Sequence, residues 1–459
     1  MRSEIAFAQT PTSYCNLKSL PIWLARAAVA PYHEVMVRSW SLFRPLLAGL
    51  FLTAVQLAMA VALLAPEGSA SYRYSTLIQH DSHWFMNIVD RGYQTIVPPI
   101  NQLMEVSNVA FFPAYPAIAA LLRRGLNIDT GTALLVTAQL AAWGFWTYFF
   151  LFCRRWRLSP ALQVCGAFLI VAHPAAFFLI AGYSESLFLM ALVGFIYWSG
   201  GQGRRAKICA ALHGIVMSAT RIVGIICAAF PLVRSVCIKG WKILREPRAW
   251  FRQYGPAIGL MITATMGALG FFLYCQLRWG RWDMYMLTQA AGWGIDPDYL
   301  AVFRPSNYRW LVPALNNPTE VSQMSMTLGA LLLIGIIFCE LLVALRRAPG
   351  AADRLWSRPT KTGGRTNWAT RVGIYFCAAA IYYISVSGVA CVDMESMLRY
   401  EFCVHALIVL ALLNFLRQFR APPMVVRTFG IATVALISAA GLSVQGWYVW
   451  NFTRGYWIA

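Results

Sequence analysis

Charge is scarce in this sequence, and acid scarcer still. Only 12% of its 459 residues are charged, and 18 Asp and Glu stand against 38 Lys and Arg. Soluble domains carry about 25% charged residues, so half the usual solvated surface is missing. The 11 cysteines form no CxxC pair, and most lie inside apolar runs, as Cys165, Cys209, Cys275, Cys339 and Cys377 do. That spacing signals neither a zinc site nor a dithiol redox motif and leaves small, polarizable packing residues. Internal repeats and low-complexity tracts are absent. The N-terminal stretch also lacks the short apolar core and small-residue cleavage site of a secretory signal.

Apolar surface is what the chain has in excess: 59% hydrophobic and 14% aromatic residues, with a mean hydropathy of +0.56. A spanning helix needs about 20 mostly apolar residues. Such runs fall at 45–65, 131–153, 160–179, 184–200, 255–277, 326–346, 370–391, 401–416 and 428–448, with two short helices within 206–236. The predicted fold is an all-α polytopic bundle of about eleven membrane helices. Residues 1–44 read as a cytoplasmic segment and 45–459 as one transmembrane domain.

The net charge of +20 could suggest nucleic acid, but its distribution excludes that partner. Basic residues gather in short blocks between apolar runs: Arg154–Arg157, Arg204–Lys207, Lys239–Arg252, and Arg346 through Arg371. Such blocks orient a membrane protein and touch anionic lipid headgroups. With the N-terminus in the cytoplasm, every lysine (18, 207, 239, 242 and 361) falls on the cytoplasmic side, provided the 206–236 stretch breaks near Thr220-Arg221 and returns. Broken helices at membrane depth are tolerated where they line a cavity or are buried in protein. Two long loops then face outward, 66–130 and 278–325. Within the first, 109–125 is too short and too interrupted by Pro113 and Pro116 to span, and reads as interfacial or re-entrant.

Ionisable side chains inside apolar helices cost about 2.5–3.5 kcal/mol on insertion scales and mark cavities or partners. Glu185 heads one apolar run, Arg221 sits at the proposed break, and Asp393, Glu395, Arg399 and Glu401 crowd one helix start. The expected topology brings Asp81, Asp90, Arg91, Glu185, Arg221 and Arg399 near one outward face. Arginine's planar fork there suits the oxygens of a phosphorylated lipid. The alternatives are plain ones. Glu185 pairs with Arg221 merely to join two helices, Asp81 is an ordinary helix N-cap, and Arg123 and Arg124 are snorkelling anchors. His213 packs against a neighbouring helix, and Asp296 and Asp298 are solvated turn residues beside Pro297.

The first outward loop reads His80-Asp81-Ser82-His83-Trp84-Phe85 through Asp90-Arg91-Gly92-Tyr93, then Phe111-Phe112-Pro113-Ala114-Tyr115-Pro116. Three more stretches follow: Pro174–Phe178 through Tyr183-Ser184-Glu185-Ser186, then Ser218-Ala219-Thr220-Arg221, then Ser396-Met397-Leu398-Arg399-Tyr400. In this order they resemble the PIG-V-type mannosyltransferases, which add the second mannose of GPI anchors, and their bacterial relatives, over roughly 70–420. The resemblance implies the C-type glycosyltransferase architecture, a polyprenyl-phosphate sugar donor and a membrane-associated acceptor. It makes Asp81 the catalytic position, a general base in a single inverting displacement. His80, Arg91, Tyr93, Tyr183, Glu185, Arg221, Arg399 and Tyr400 become the expected substrate-binding residues, with no metal or cofactor. His80 stands where the family usually has Trp, and Gln94 where eukaryotic members often have an acidic residue. The Arg-rich, Lys-poor basic set points to a bacterial inner membrane; a eukaryotic enzyme would sit in the endoplasmic reticulum with the same orientation. The competing readings are a lipid or glycan flippase and a polymerase or ligase of lipid-linked glycans.

Overall fold

The computed structural model describes residues 43–95, 107–240, 247–346, 363–419 and 423–458. The expected cytoplasmic segment therefore lies almost wholly outside the described residues. So do the middle of the first loop and most of the basic stretch before Arg371. By contacts the chain divides into Met1–Pro45 and Leu46–Ala459, and the packing below belongs to the second unit.

The described residues are helical, with no strand. In chain order the helices are α1 Phe43–Leu64, α2 Ala70–Ser75, α3 Asp81–Arg91, α4 Ala114–Leu126, α5 Thr130–Arg155, α6 Pro160–Val171, α7 Glu185–Ser199 and α8 Gly203–Ser218. They continue with the single turn α9 Gly224–Cys227, then α10 Phe230–Lys239, α11 Pro247–Trp279, α12 Met284–Trp293, α13 Pro318–Arg346, α14 Gly363–Val389, α15 Met397–Leu416 and α16 Met424–Phe452. Local chemistry fixes several boundaries. Asp129 accepts the Thr132 N–H to start α5. Ser159 caps α6 with Pro160 in its first turn, and a left-handed Asn127 ends α4.

Among the described residues, seven helices are long and apolar enough to cross a membrane: α1, α5, α15, α16 and the greater parts of α11, α13 and α14. The other four expected spans are shorter. α6 has 12 residues, α7 has 15, α8 has 16 and α10 has 10. At about 1.5 Å per residue, none matches a hydrocarbon layer of roughly 30 Å. The 160–179 run stops early because His173-Pro174 ends α6 and the chain continues as irregular turns to Ser184. At 13 residues α4 is also too short to cross, and it packs on α3 and α5.

The lipid-facing surface is unmistakable on α16. Its most apolar window has a mean hydropathy of 1.8 yet is only 6% buried, and Val425, Phe429 and Leu436 are all at least 73% exposed. Water does not tolerate apolar patches beyond a few hundred Å² on a monomer. The chain is a multi-pass membrane protein.

The chain reverses at Ala219–Val223. α8 runs up to Ser218, and α9 and α10 run back to Lys239, packing on α11 and α14. At the end of the bundle opposite the first loop, the Arg155 guanidinium caps the Tyr197 carbonyl at 2.7 Å, joining the ends of α5 and α7. The descending α10 is tied to the start of α14 by Arg234 Nε donating to Thr370 Oγ1 at 3.2 Å. Small residues permit the tight α8–α11 crossing: a Cβ at Gly267 would meet the Ile215 carbonyl at 2.1 Å.

Candidate active site

Four charged residues from four separate stretches meet at the end of the bundle that carries the first loop. Asp81 opens α3, Glu185 opens α7, Arg221 lies in the reversal between α8 and α9, and Arg399 lies in the first turn of α15. Arg399 Nη1 donates to Asp81 Oδ2 at 2.7 Å and lies 3.7 Å from Glu185 Oε1. Arg221 Nη2 donates to that same Glu185 oxygen at 2.5 Å. The result is a linear alternation, Asp81–Arg399–Glu185–Arg221, whose formal charges cancel.

Helix starts explain part of this placement. A carboxylate in a first turn is favoured by the exposed N–H groups and the helix dipole, which suits Asp81 and Glu185. Arg399 in a first turn is not favoured that way. Its position rests on the carboxylates and on Ser396 Oγ, which accepts from Nη2 at 2.8 Å. Asp81 is not an N-cap: His80 occupies that position and makes no capping bond, and the carboxylate turns to Arg399.

Backbone strain flanks both Asp81 and Arg399. His80 has φ 48° and ψ −111°. Asp393, Met394 and Ser396 all have positive φ, between 53° and 68°. Non-glycine residues held this way cost about 1–3 kcal/mol each and concentrate at functional sites. Here the strained residues immediately precede the helices that present Asp81 and Arg399.

All four charged residues line one cavity of about 610 Å³, with Tyr183 and Tyr400. Its further walls are mostly apolar, among them Ile222, Ile226, Ile381, Ile384 and Val389. The break in the 206–236 stretch therefore lines a cavity, through Thr220–Val223. Arg221 lies 5.3 Å from the Tyr400 ring centroid, and Arg399 lies 5.1 Å from that of Tyr183. Three buried polar atoms here have no hydrogen-bond partner: Arg399 Nε, Glu185 Oε2 and Tyr183 OH. Burial pushes the Tyr183 phenol well above its ordinary range, so it remains a proton donor. Buried polar groups are nearly always satisfied, and three orphans around one cavity describe a site shaped for a ligand.

The remaining expected site residues lie elsewhere. His80 faces away from the cavity, toward residues 452–457, with Nε2 donating to the Tyr456 carbonyl at 3.3 Å. Burial lowers the His80 pKa. Tyr93 donates to the Phe111 carbonyl at 2.7 Å and packs on Phe271, which holds the loop in place. Arg91 is exposed at the far end of α3. Asp90 pairs with Arg123 at 2.8 Å and accepts from Thr130 at 2.6 Å, so Arg123 has an ionic partner. His213 packs as expected, bonded to the Tyr148 hydroxyl at 2.8 Å.

Two features were not expected. Arg371 belongs to a stretch read as orienting charge, yet it is 5% exposed and forked onto Glu340 of α13. An acidic residue inside the apolar 326–346 run was the available signal. His173, Glu401 and His405 converge, with candidate ligand atoms all within 4.8 Å of one another. Both nitrogens of His173 are engaged, however. Nδ1 accepts the Ala175 N–H at 3.1 Å, so Nε2 carries the proton and donates to Glu401 at 2.5 Å. A metal at Nε2 would have to displace that proton, and His405 Nε2 donates to the Leu169 carbonyl at 3.0 Å. The pair Asp296 and Asp298 straddles Pro297 on the cavity rim, but only Ile295, Pro297 and Tyr299 of that stretch line it. Asp298 is bound to Arg304 at 2.6 Å.

The sequence matches no protein-family profile and no curated protein. Among solved structures it is similar to ArnT from Cupriavidus metallidurans bound to undecaprenyl phosphate. The identity is 12% and the TM-score 0.46, over 89% of this chain and 76% of that one. It is also similar to the archaeal oligosaccharyltransferase AglB from Archaeoglobus fulgidus in complex with an inhibitory peptide and a dolichol-phosphate. There the identity is 10% and the TM-score 0.45, over 90% of this chain and 56% of the other. Likenesses this distant leave function to the residues of the cavity.

Proposed function

We propose that this chain is a membrane glycosyltransferase of the C-type class that moves a sugar from a polyprenyl phosphate to a membrane-associated acceptor. Mannose is the sugar the PIG-V resemblance implies. The observation that carries the reading is the Asp81–Arg399–Glu185–Arg221 chain on the wall of a mostly apolar cavity, beside an unpartnered Arg399 Nε.

The chemistry follows from those atoms. A phosphodiester-linked sugar brings negative charge, which needs a guanidinium fork. Arg399 offers the free Nε, and a phosphate oxygen there competes with Asp81 for the same cation. The acceptor oxygen attacks the anomeric carbon from the face opposite the phosphate. The carbon–oxygen bond to phosphate breaks, its electron pair stays on the phosphate, and the configuration inverts. Asp81, released from Arg399, takes the acceptor proton; a positioned general base contributes about 10²–10⁴ in rate. Arg399 and Arg221 stabilise the departing phosphate. The flank of Ile222, Ile226, Ile381 and Ile384 suits a prenyl chain.

The orientation proposed places the N-terminus in the cytoplasm and the cavity outside. Reporters inserted after residues 80 and 245 should then report opposite sides, and the same side for both would contradict it. The function is tested by Asp81→Asn in membranes supplied with a radiolabelled polyprenyl-phosphate sugar. Glycosyl transfer predicts loss of labelled product at unchanged expression. Continued product formation, or lipid movement across the bilayer without transfer, would overturn it.

A further inference from the structure

The stretch after α16 does not trail away from the bundle. Gly455 at φ +85° turns it back, Tyr456 N–H bonds to the Asn451 carbonyl at 3.2 Å, and Ile458 is buried in the main core. Arg454 donates to the Leu64 carbonyl at 3.2 Å, fastening the turn to the end of α1. The segment thereby reaches the residue before Asp81. The Tyr456 carbonyl accepts from His80 Nε2, and the Trp457 ring meets the His80 ring edge-on at 4.9 Å. Trp457 also lies 5.7 Å beneath the Arg399 guanidinium. Neither His80 nor Trp457 lines the cavity.

We infer that Trp457 and His80 are positioning residues: together they hold the strained turn that aims the Asp81 carboxylate and set the plane of the Arg399 fork. Three observations converge on this. His80 is held in a backbone conformation that L residues rarely adopt, and its side chain is fixed there by segment 453–458. Trp457 touches the residue before Asp81 on one side and the partner of Asp81 on the other. Neither residue lines the cavity, so their influence passes through Asp81 and Arg399. Misplacing reacting groups by about 1 Å can cost roughly 100-fold in rate, and a cation beside an indole face is held in orientation as well as attracted.

This inference rests on the transferase reading, and the experiment separates the two. Transfer kinetics would be measured on the full-length protein for Trp457→Ala, Trp457→Phe, His80→Ala, His80→Gln and Asp81→Asn, with thermal unfolding in detergent as the folding control. The expected result is a fall in kcat of about tenfold or more for Trp457→Ala and His80→Ala, following the sensitivity of rate to placement. KM for the donor should change far less than kcat. Trp457→Phe keeps a ring, and His80→Gln keeps an N–H for the Tyr456 carbonyl; both should recover most of the rate. If Trp457→Ala does not fold, the His80 pair carries the test alone. Wild-type kcat in the alanine variants, or losses that merely track folded amount, would overturn the inference. If Asp81→Asn is inactive in that case, the transferase reading stands; an active Asp81→Asn removes the reading itself.

Discussion

Arg371 and Arg399 are both about 5% exposed, and each grips a carboxylate from another helix inside the same bundle. Their surroundings part company from there. Arg371 spends both edges of its fork. Nε and Nη2 bond to the two oxygens of Glu340, and Nη1 donates to Asn414 at 3.0 Å. Tyr375 adds a bond to Glu340 at 3.1 Å. Arg399 leaves Nε bare, shares Nη1 between two carboxylates, opens onto a cavity and follows a run of strained backbone. Removing charges from water is costly, and a closed, geometrically complete pair is the form in which that cost is offset. The Arg371 cluster is a fastening between α13, α14 and α15. The Arg399 cluster leaves one donor open to the cavity, which on the proposed function takes a phosphate oxygen.

The contrast can be broken by moving each arginine separately. Arg399→Ala should lower kcat/KM by about 10²–10³, the size seen when one donor to a developing anion is lost. Arg399→Lys should not restore it, because an ammonium cannot reproduce the fork. Arg371→Ala should behave oppositely. It strands Glu340 in the bundle and should cost about 3–5 kcal/mol of stability, while turnover per folded molecule holds. Thermal unfolding and donor kinetics on the same preparations distinguish the two. If Arg371→Ala removes turnover from well-folded protein, the division between fastening and site fails.

A milder change sharpens the same point. Replacing Arg371 and Glu340 together by Met and Leu removes both charges at once. Replacing a buried pair by apolar residues is often neutral or stabilising by about 1–4 kcal/mol, so that variant should fold and transfer sugar. The matching replacement of Asp81 and Arg399 should fold and transfer nothing.

The smallest expected effect is on pH. Burial holds the His80 pKa below its ordinary value, so the unfolded chain binds this proton more readily than the folded one. The contribution of His80 to stability is complete above the unfolded value near 6.5. It is lost as pH falls from there through the folded value. Melting temperature should therefore decline between pH 7 and pH 5.5 less steeply in His80→Gln than in wild type. Equal slopes would show that His80 does not titrate across that window.

The separation between Arg371 and Arg399 also marks how far the sequence could be read. Glu185, Arg221 and Arg399 stood out because ionisable residues at the ends of apolar runs have few innocent explanations, and Asp81 stood out through the motif resemblance. The break near Thr220-Arg221 was legible because an unbroken span would have put a basic block on the wrong side. Arg371 was hidden by its neighbours: it borders a basic stretch, and only packing shows that it turns inward to Glu340. His80 was placed among the binding residues because it stands in the motif where the family usually has Trp, but it turns toward residues 452–457. The 160–179 span was too long by several residues, since hydropathy does not register where His173-Pro174 stops a helix. The contacts of segment 453–458 had no local signal, being a tertiary contact across more than 370 residues.

In the proposed mechanism the Asp81 carboxylate, next to the Arg399 fork, removes the acceptor proton. The most direct measurement is the single-turnover transfer rate of purified Asp81→Asn at saturating donor and acceptor, beside wild type. A loss of about 10²–10⁴ with donor binding retained is the predicted result. An Asp81→Asn protein that transfers sugar at the wild-type rate would contradict the account.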